Sequence, residues 1–158
     1  MTDTDRRIAK ITLDERSVVR RSADIEHERA IAIFDLLEDN VFNPVANLGG
    51  PYHLHLGIED NRLVLDIRDM QDLSLERIVL PLTPFRGIVK DYFLVCETYF
   101  NAIRTSSPSR IEAVDMGRRA LHNEGSELLR ERLVDRVEID LNTARRLFTL
   151  LCVLHIRT

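Results

Sequence analysis

The sequence predicts an α+β fold in which an antiparallel sheet of three to five strands packs against three to five helices, in a single domain over residues 1–158. Strand-like segments with alternating apolar residues follow one another between residues 52 and 82, which favours antiparallel pairing of neighbours. Apolar residues at helical spacing occupy residues 24–39 and most of the chain after residue 83. A length of 158 residues fits one domain with its own hydrophobic core.

The first third of the chain alternates short elements with one clear loop. Residues 8–13 (IAKITL) alternate polar and apolar side chains, which predicts a strand with one buried face. A second short extended piece is expected at Val18 and Val19. A well-buried helix follows over residues 24–39, and Gly-Gly-Pro at 49–51 marks a loop.

A β-hairpin and a third strand come next. Residues 52–58 and 63–67 each place apolar side chains on one face, and Glu59 to Arg62 provide a tight turn between them. The third strand is expected over residues 76–82. Pro81 indicates that this strand lies at a sheet edge or ends there, because proline cannot donate to a neighbouring strand.

Two helices begin with a hydroxyl residue followed by proline, a pattern typical of helix starts. The helix over residues 84–103, capped by Thr83, is apolar on most sides and is expected to be the central buried helix. The polar helix over residues 107–133 begins at Ser107, and Gly125 is expected to bend or interrupt it.

The end of the chain predicts a short extended piece over residues 137–140 and a last helix. Asn142 or Thr143 is the expected cap of this helix. Residues 147–156 are apolar nearly all round, whereas one buried helix face needs only a band of about 100°. This helix is therefore expected to be either fully central or shared across a homodimer.

Composition narrows the class of protein and its compartment. A net charge of −4 and a pI of about 5.7 give no global basic field for nucleic acid or anionic membranes. The N-terminus has no apolar signal core, no run is long enough to span a membrane, and the two cysteines lie in apolar helical runs. We expect a cytoplasmic protein. The sequence has no Walker loop, GxGxxG, GxSxG, HExxH or CxxC motif, and we expect no cofactor.

Several long segments resemble a small bacterial family of alphaproteobacterial type, the uncharacterised family UPF0262. The segments are EHERAIAIFDLLEDN, IVKDYFLVCETYFNAIRT, IEAVDMGRRALHNEGSELLRERL and ARRLFTLLCVLHIR. Together they extend the resemblance over nearly the whole chain. The resemblance implies a cytoplasmic bacterial protein of one domain, and it implies no activity and no functional residues.

The first candidate site lies around His122 in the polar helix. Asp115, Arg119 and His122 share one helix face, and an imidazole held by a carboxylate, either Asp115 or Glu124, is the usual arrangement of a general base. A bend at Gly125 would expose backbone N–H groups as an anion site, with Arg118, Arg119 and Asn123 gathered round it. The alternative is a salt-bridged, solvated helix surface.

Other candidates are metal-ligating or RNA-facing residues. His53 and His55 lie two apart on a strand and point to the same face, so they are candidate metal ligands, unless that face is simply solvated. His27 is a further candidate, as a metal ligand or a base. The carboxylates of Glu124, Glu127 and Glu131 share one helix face and are candidate Mg²⁺ ligands. Four arginine pairs, at 6–7, 20–21, 118–119 and 145–146, are candidates for contact with RNA, although few exposed aromatics accompany them.

These observations support three hypotheses about function. The first is a small interaction or regulatory module with an unknown protein partner, associating as a homo-oligomer. The second is a metal- or anion-binding enzyme with a site around His122, Arg119, Asp115 and Glu124. The third is an RNA-associated protein, although the net charge of −4 argues against nucleic acid as a partner.

Overall fold

The computed structural model describes residues 6–15, 23–46 and 48–155. The extended piece expected at Val18 and Val19 lies outside these residues. Within them the chain forms six strands and four helices. The strands are β1 (Ile8–Leu13), β2 (Phe42–Pro44), β3 (Tyr52–Glu59), β4 (Arg62–Arg68), β5 (Ser74–Pro81) and β6 (Val137–Ile139); the helices are α1 (Ala23–Glu38), α2 (Arg86–Thr105), α3 (Pro108–Leu133) and α4 (Leu141–His155).

The main sheet has the strand order β1-β3-β4-β5, and a two-stranded sheet pairs β2 with β6. β3, β4 and β5 are antiparallel neighbours, which confirms the predicted α+β class and its mainly antiparallel sheet. β1, however, is parallel to β3. The reason is the connection: α1 and β2 separate β1 from β3, and such a crossover brings the chain back in the same direction.

The predicted turn between β3 and β4 is confirmed. Asp60 and Asn61 are the two central residues, and both have positive φ angles, 50° and 62°. Two-residue turns with two positive φ angles match the twist of a hairpin, and Asp and Asn tolerate that conformation well. β5 ends at Pro81 on the outer edge of the sheet, as the proline indicated.

α4, and not α2, is the central helix. Seven of its residues from Leu147 to Leu154 are buried, whereas α2 buries only one face and leaves Leu94 55% exposed. The expectation that residues 84–103 form the central helix is therefore wrong, because charged and polar side chains interrupt the apolar surface of α2. A central α4 satisfies the first of its two predicted alternatives, and homodimerisation stays a prediction.

Two of the predicted helix caps differ from the structure. A short 3-10 turn (Thr83–Phe85) precedes α2, and no side chain caps it. At α4 the cap is Asp140, whose Oδ1 accepts from the backbone N–H of Thr143 at 2.8 Å. Thr143 is buried instead and its hydroxyl accepts from the backbone of Val41. The Ser107 cap of α3 is present, with its hydroxyl accepting from Arg110 N.

α3 continues through Gly125 without interruption, so the predicted break there is wrong. Gly125 is buried against α4, and a Cβ built on it would lie 2.2 Å from Cζ of Phe148. The glycine serves close helix packing. Since the backbone N–H groups inside a continuous helix are bonded within the helix, the anion site expected at a break near Gly125 does not form.

The main sheet buries one face and leaves the other open. Side chains of Tyr52, Leu54 and Leu56 join one core with α1, α2 and α4, while His53 and His55 alternate to the opposite face. β1 has a register shift between Ile8 and Lys10, after which Lys10 and Thr12 pair with the histidines of β3. Among the described residues, no helix is long and apolar enough to cross a membrane.

Candidate functional site

A cleft of about 500 Å³ opens between α1, α3 and α4, with Tyr92 of α2 at its base. Each of the three helices contributes residues three or four apart, so one face of each helix points into the cleft. The lining residues are Glu28, Ile31, Ala32 and Asp35 from α1; Arg118, Arg119, His122 and Asn123 from α3; and Arg145, Arg146 and Thr149 from α4. The volume is within the usual range for small-molecule sites.

The cleft carries an excess of positive charge in an acidic protein. Four arginines face two carboxylates, those of Glu28 and Asp35. Asp115 lies behind the α3 arginines and offsets one further charge, with Oδ1 2.7 Å from Nη2 of Arg118 and Oδ2 2.9 Å from Nε of Arg119. The positive charge on the α4 side is less compensated, because Nε of Arg146 lies 3.7 Å from Oδ2 of Asp35.

Arg145 has no ion pair within the described parts of the chain, and its Nε is buried without a hydrogen-bond acceptor. A buried, unsatisfied N–H costs on the order of 1–3 kcal/mol, and more for a charged group. One N–H of the Arg145 guanidinium therefore lacks an acceptor among the described residues.

His122 lies between α3 and α4 as a neutral imidazole. Its Nε2 is 2.8 Å from the hydroxyl of Thr149, and the hydroxyl of Ser126 lies 3.5 Å from its Nδ1 and donates to its backbone carbonyl. Burial, and then the positive charges of Arg145, Arg118 and Arg146, lower the pKa of His122 to about 4. At neutral pH the ring is an uncharged hydrogen-bonding group among arginines.

The predicted anion-binding residues lie together, whereas the predicted carboxylate partners of His122 do not. Arg118, Arg119 and Asn123 all line the cleft with His122. Asp115 lies seven residues before His122, about 10.5 Å along the helix axis, and pairs with the arginines instead. Glu124 is exposed, and the hydrogen bonds of the ring within the described residues go to Thr149 and Ser126 instead. No carboxylate orients this imidazole in the described residues.

The sequence patterns predicted only the α3 side of the cleft. The sequence indicates Arg145 and Arg146 only as a candidate pair for contact with RNA, and it gives no sign that Thr149, Glu28 and Asp35 belong to a site. The signal was present in the spacing of Arg145, Arg146 and Thr149 on one face of α4. The sequence does not show that this face of α4 lies against α3.

The predicted ligands on the open face of the sheet also lie close together. The ring centroids of His53 and His55 are 4.2 Å apart, and Oδ1 of Asp72 lies 3.1 Å from Nδ1 of His53 and 3.2 Å from Nε2 of His55. The sequence pattern does not indicate that Asp72 belongs to this cluster of possible ligands. His27 is exposed on α1, and the α3 glutamates 124, 127 and 131 are exposed as well.

Comparison with known proteins agrees with the resemblance seen in the sequence. The model of the uncharacterised protein family UPF0262 matches residues 5–157. A UPF0262 protein of Azorhizobium caulinodans is 61% identical over 158 residues, covering 98% of this chain and 96% of the relative. Relatives from Paramagnetospirillum magneticum and Rhodospirillum rubrum are 58% and 57% identical, covering 96% and 99% of this chain and 96% of each relative. No solved structure matches the chain significantly.

Proposed function

The chain belongs to the family UPF0262, and we propose that it is a binding module for a small oxyanion, a phosphorylated or multiply carboxylated metabolite, held in the arginine-lined cleft between α1, α3 and α4. The binding groups are the guanidinium groups of Arg145, Arg118 and Arg119, with Asn123 and His122 beside them. Planar guanidinium groups suit carboxylate and phosphate oxygens because they donate two parallel hydrogen bonds.

The unsatisfied Nε of Arg145 is the observation that carries this proposal. Salt-bridged arginines are common on helix surfaces, and Arg118 and Arg119 alone would support only a solvated face. A guanidinium whose Nε has no acceptor among the described residues, on a side chain that lines a cleft of about 500 Å³, points to an acceptor that comes from outside the chain.

The state of His122 favours binding over acid–base catalysis. A ring with a pKa of about 4 is a poor proton acceptor at neutral pH, and its Nε2 is bonded to the hydroxyl of Thr149 rather than to a carboxylate partner. A neutral imidazole holds the hydroxyl of Thr149 beside the cleft without adding to the repulsion among the arginines.

The test is calorimetric titration of the untagged protein with inorganic phosphate and, separately, with citrate. We expect at least one of the two to bind at a single site per chain. Arg145→Gln should weaken that binding about tenfold or more, since hydrogen bonds to charged groups contribute roughly 1.5–3 kcal/mol. Arg132→Gln is the matched control, because Arg132 is exposed in the last turn of α3 and lies outside the cleft.

The two anions distinguish the two sources of oxyanion. Preference for phosphate over citrate would indicate a phosphoryl group, and the reverse preference would indicate a polycarboxylate. Absence of saturable binding of both anions, or equal affinities in Arg145→Gln and Arg132→Gln, would contradict the proposal.

A second candidate is the interaction module with a homodimeric partner, in the cytoplasm. Phe34 and Ile31 lie one turn apart on α1 and are 64% and 43% exposed, and this apolar ridge borders the cleft. Free, buried Cys96 and Cys152 support a reducing compartment. Light scattering of the wild type should give a dimer mass and Phe34→Ser a monomer mass; a monomeric wild type would remove this candidate.

A further inference from the structure

Three ligand-type atoms converge on the open face of the main sheet, away from the arginine-lined cleft. Nδ1 of His53, Nε2 of His55 and Oδ1 of Asp72 all lie within 4.8 Å of one another. The two imidazoles come from alternate positions of β3, and the carboxylate comes from the turn between β4 and β5. His53 is buried, with an exposed fraction of 7%, while His55 is half-buried and Asp72 is exposed.

Two of the three ligands, His53 and Asp72, are already oriented by another group. The hydroxyl of Thr12 lies 2.7 Å from Nε2 of His53, which leaves Nδ1 directed at Asp72. Arg68 binds Oδ2 of Asp72 at 3.0 Å, which leaves Oδ1 directed at the two rings. Metal-ligating histidines almost always have a hydrogen-bonding partner on the second ring nitrogen, and ligating carboxylates are likewise hydrogen-bonded.

We propose that Nδ1 of His53, Nε2 of His55 and Oδ1 of Asp72 form a binding site for a divalent first-row transition ion, with zinc as the best fit. Imidazole nitrogen and carboxylate oxygen are established zinc ligands, and a site with three protein ligands keeps a fourth position for water or another molecule. The ion would take the place of the contacts between the two rings and Oδ1 of Asp72, and each ring would stay neutral by carrying its proton on its other nitrogen, which for His53 is Nε2, facing the hydroxyl of Thr12.

The distances suit this ion. Bonds of roughly 2.0–2.1 Å in a tetrahedron place neighbouring ligand atoms about 3.3 Å apart. The two nitrogen atoms lie 3.1 and 3.2 Å from Oδ1 of Asp72, so small side-chain adjustments make room for the ion.

The pKa shifts of His53 and Asp72 also suit a metal ion. Burial, and then the neighbouring His55, lower the pKa of His53, so the ring is neutral at pH 7. Burial by itself raises the pKa of Asp72, but the hydrogen bond from His55 and the charge of Arg68 outweigh this effect and keep its pKa below the ordinary value. Neutral imidazoles and an ionised carboxylate are the forms that bind metal.

The turn that carries Asp72 is fixed before any metal binds. Asp72 has a φ of 70°, and its backbone N–H donates to the carbonyl of Asp69 at 3.0 Å. Oδ1 of Asp69 in turn accepts from the backbone of Gln71 and of Leu73. A bound ion would therefore join this turn to β3 with little further ordering of the chain.

The experiment uses untagged protein, since a polyhistidine tag binds zinc, stripped of metal with a chelator and titrated with zinc chloride. We expect one zinc ion per chain. Asp72→Asn and His55→Gln should each weaken zinc binding by more than about hundredfold. Loss of a group that only hydrogen-bonds to a metal ligand already weakens binding about 10–100-fold. Thr12→Val, which keeps all three ligands, should fall within that smaller range. His27→Gln, an exposed histidine on α1, should bind as the wild type does.

A measurement on the wild type makes the proposal independent of how the variants fold. Substoichiometric Co²⁺ should broaden the NMR signals of His53, His55 and Asp72 before those of any other residues. Absence of stoichiometric zinc binding, broadening centred elsewhere, or unchanged affinity in folded Asp72→Asn and His55→Gln would each overturn it.

Discussion

The contact between Gly125 and Phe148 predicts opposite effects for two identical substitutions in α3. Gly125→Ala and Gly117→Ala both replace glycine by the best helix former within one helix. The alanine at Gly117 meets only Cγ2 of Val95, at 3.8 Å, which is an ordinary contact. The alanine at Gly125 meets three ring atoms of Phe148, at 2.2, 2.3 and 2.7 Å.

The magnitudes follow from propensity and packing. Gly117→Ala should stabilise the protein by up to about 1 kcal/mol, the difference in helix propensity. At Gly125 the same gain is opposed by overpacking, because ordinary contact begins near 3.4 Å and the fully buried ring of Phe148 would have to retreat by more than 1 Å. Overpacking of cores typically costs about 1–3 kcal/mol, and this severe overlap falls at the upper end.

Urea denaturation of the two variants measures this difference. We expect a lower midpoint for Gly125→Ala and a higher midpoint for Gly117→Ala than for the wild type, with similar slopes. Combining Gly125→Ala with Phe148→Leu should recover part of the loss, because the two positions are coupled. If Gly125→Ala were as stabilising as Gly117→Ala, the close packing of α3 on α4 would be refuted.

Three further predictions concern the protonation of His122, the packing of the hydrophobic core and the contact that holds the edge strand β1. As the pH is lowered from 6.5 towards 4, the free energy of unfolding of the wild type should fall relative to that of His122→Asn, by at most about 3 kcal/mol. The reason is that the unfolded chain takes up a proton at His122 that the folded site excludes. Parallel pH profiles of the two proteins would contradict this. Leu151→Ala should lower the free energy of unfolding by about 2–5 kcal/mol, and Leu94→Ala, at an exposed position, by less than about 0.5 kcal/mol. The reverse order of urea midpoints would show that the buried and exposed positions are wrongly assigned. Asn40→Ala should cost about 1–3 kcal/mol in thermal unfolding, because its side chain binds both backbone groups of Ile8; an unchanged midpoint would show that water replaces it.

Local patterns predicted most of the elements of this fold. The hairpin turn at Asp60 and Asn61 and the cap at Ser107 depend on neighbouring residues alone, so the sequence is sufficient to find them. The parallel pairing of β1 with β3 depends on contacts across the fold, and no period in the sequence encodes it.

Gly125 shows why a propensity rule predicts the wrong outcome. Its low helix propensity is real, but the price of about 1 kcal/mol is small beside the burial of the Phe148 ring against α3. Tertiary packing therefore keeps the helix continuous where the local rule predicts a bend.

The candidate sites could be predicted only where their residues lie on one secondary-structure element. Arg118, Arg119, His122 and Asn123 share a face of one helix, so periodicity brought them together. Arg145 lies on another helix, and Asp72 lies in a turn beyond the next strand from His53. Their places in the two sites depend on tertiary contacts.

The most direct test of the anion-binding cleft is an NMR titration of the His122 imidazole with and without phosphate or citrate, whichever binds more tightly by calorimetry. Without anion, the pKa should lie well below 6.5, near 4, because the ring is buried among arginines. A bound anion offsets those positive charges, so it should raise the pKa of His122, while the NMR signals of the exposed His27 should not respond to the anion. A pKa near 6.5 that neither anion moves would contradict the account.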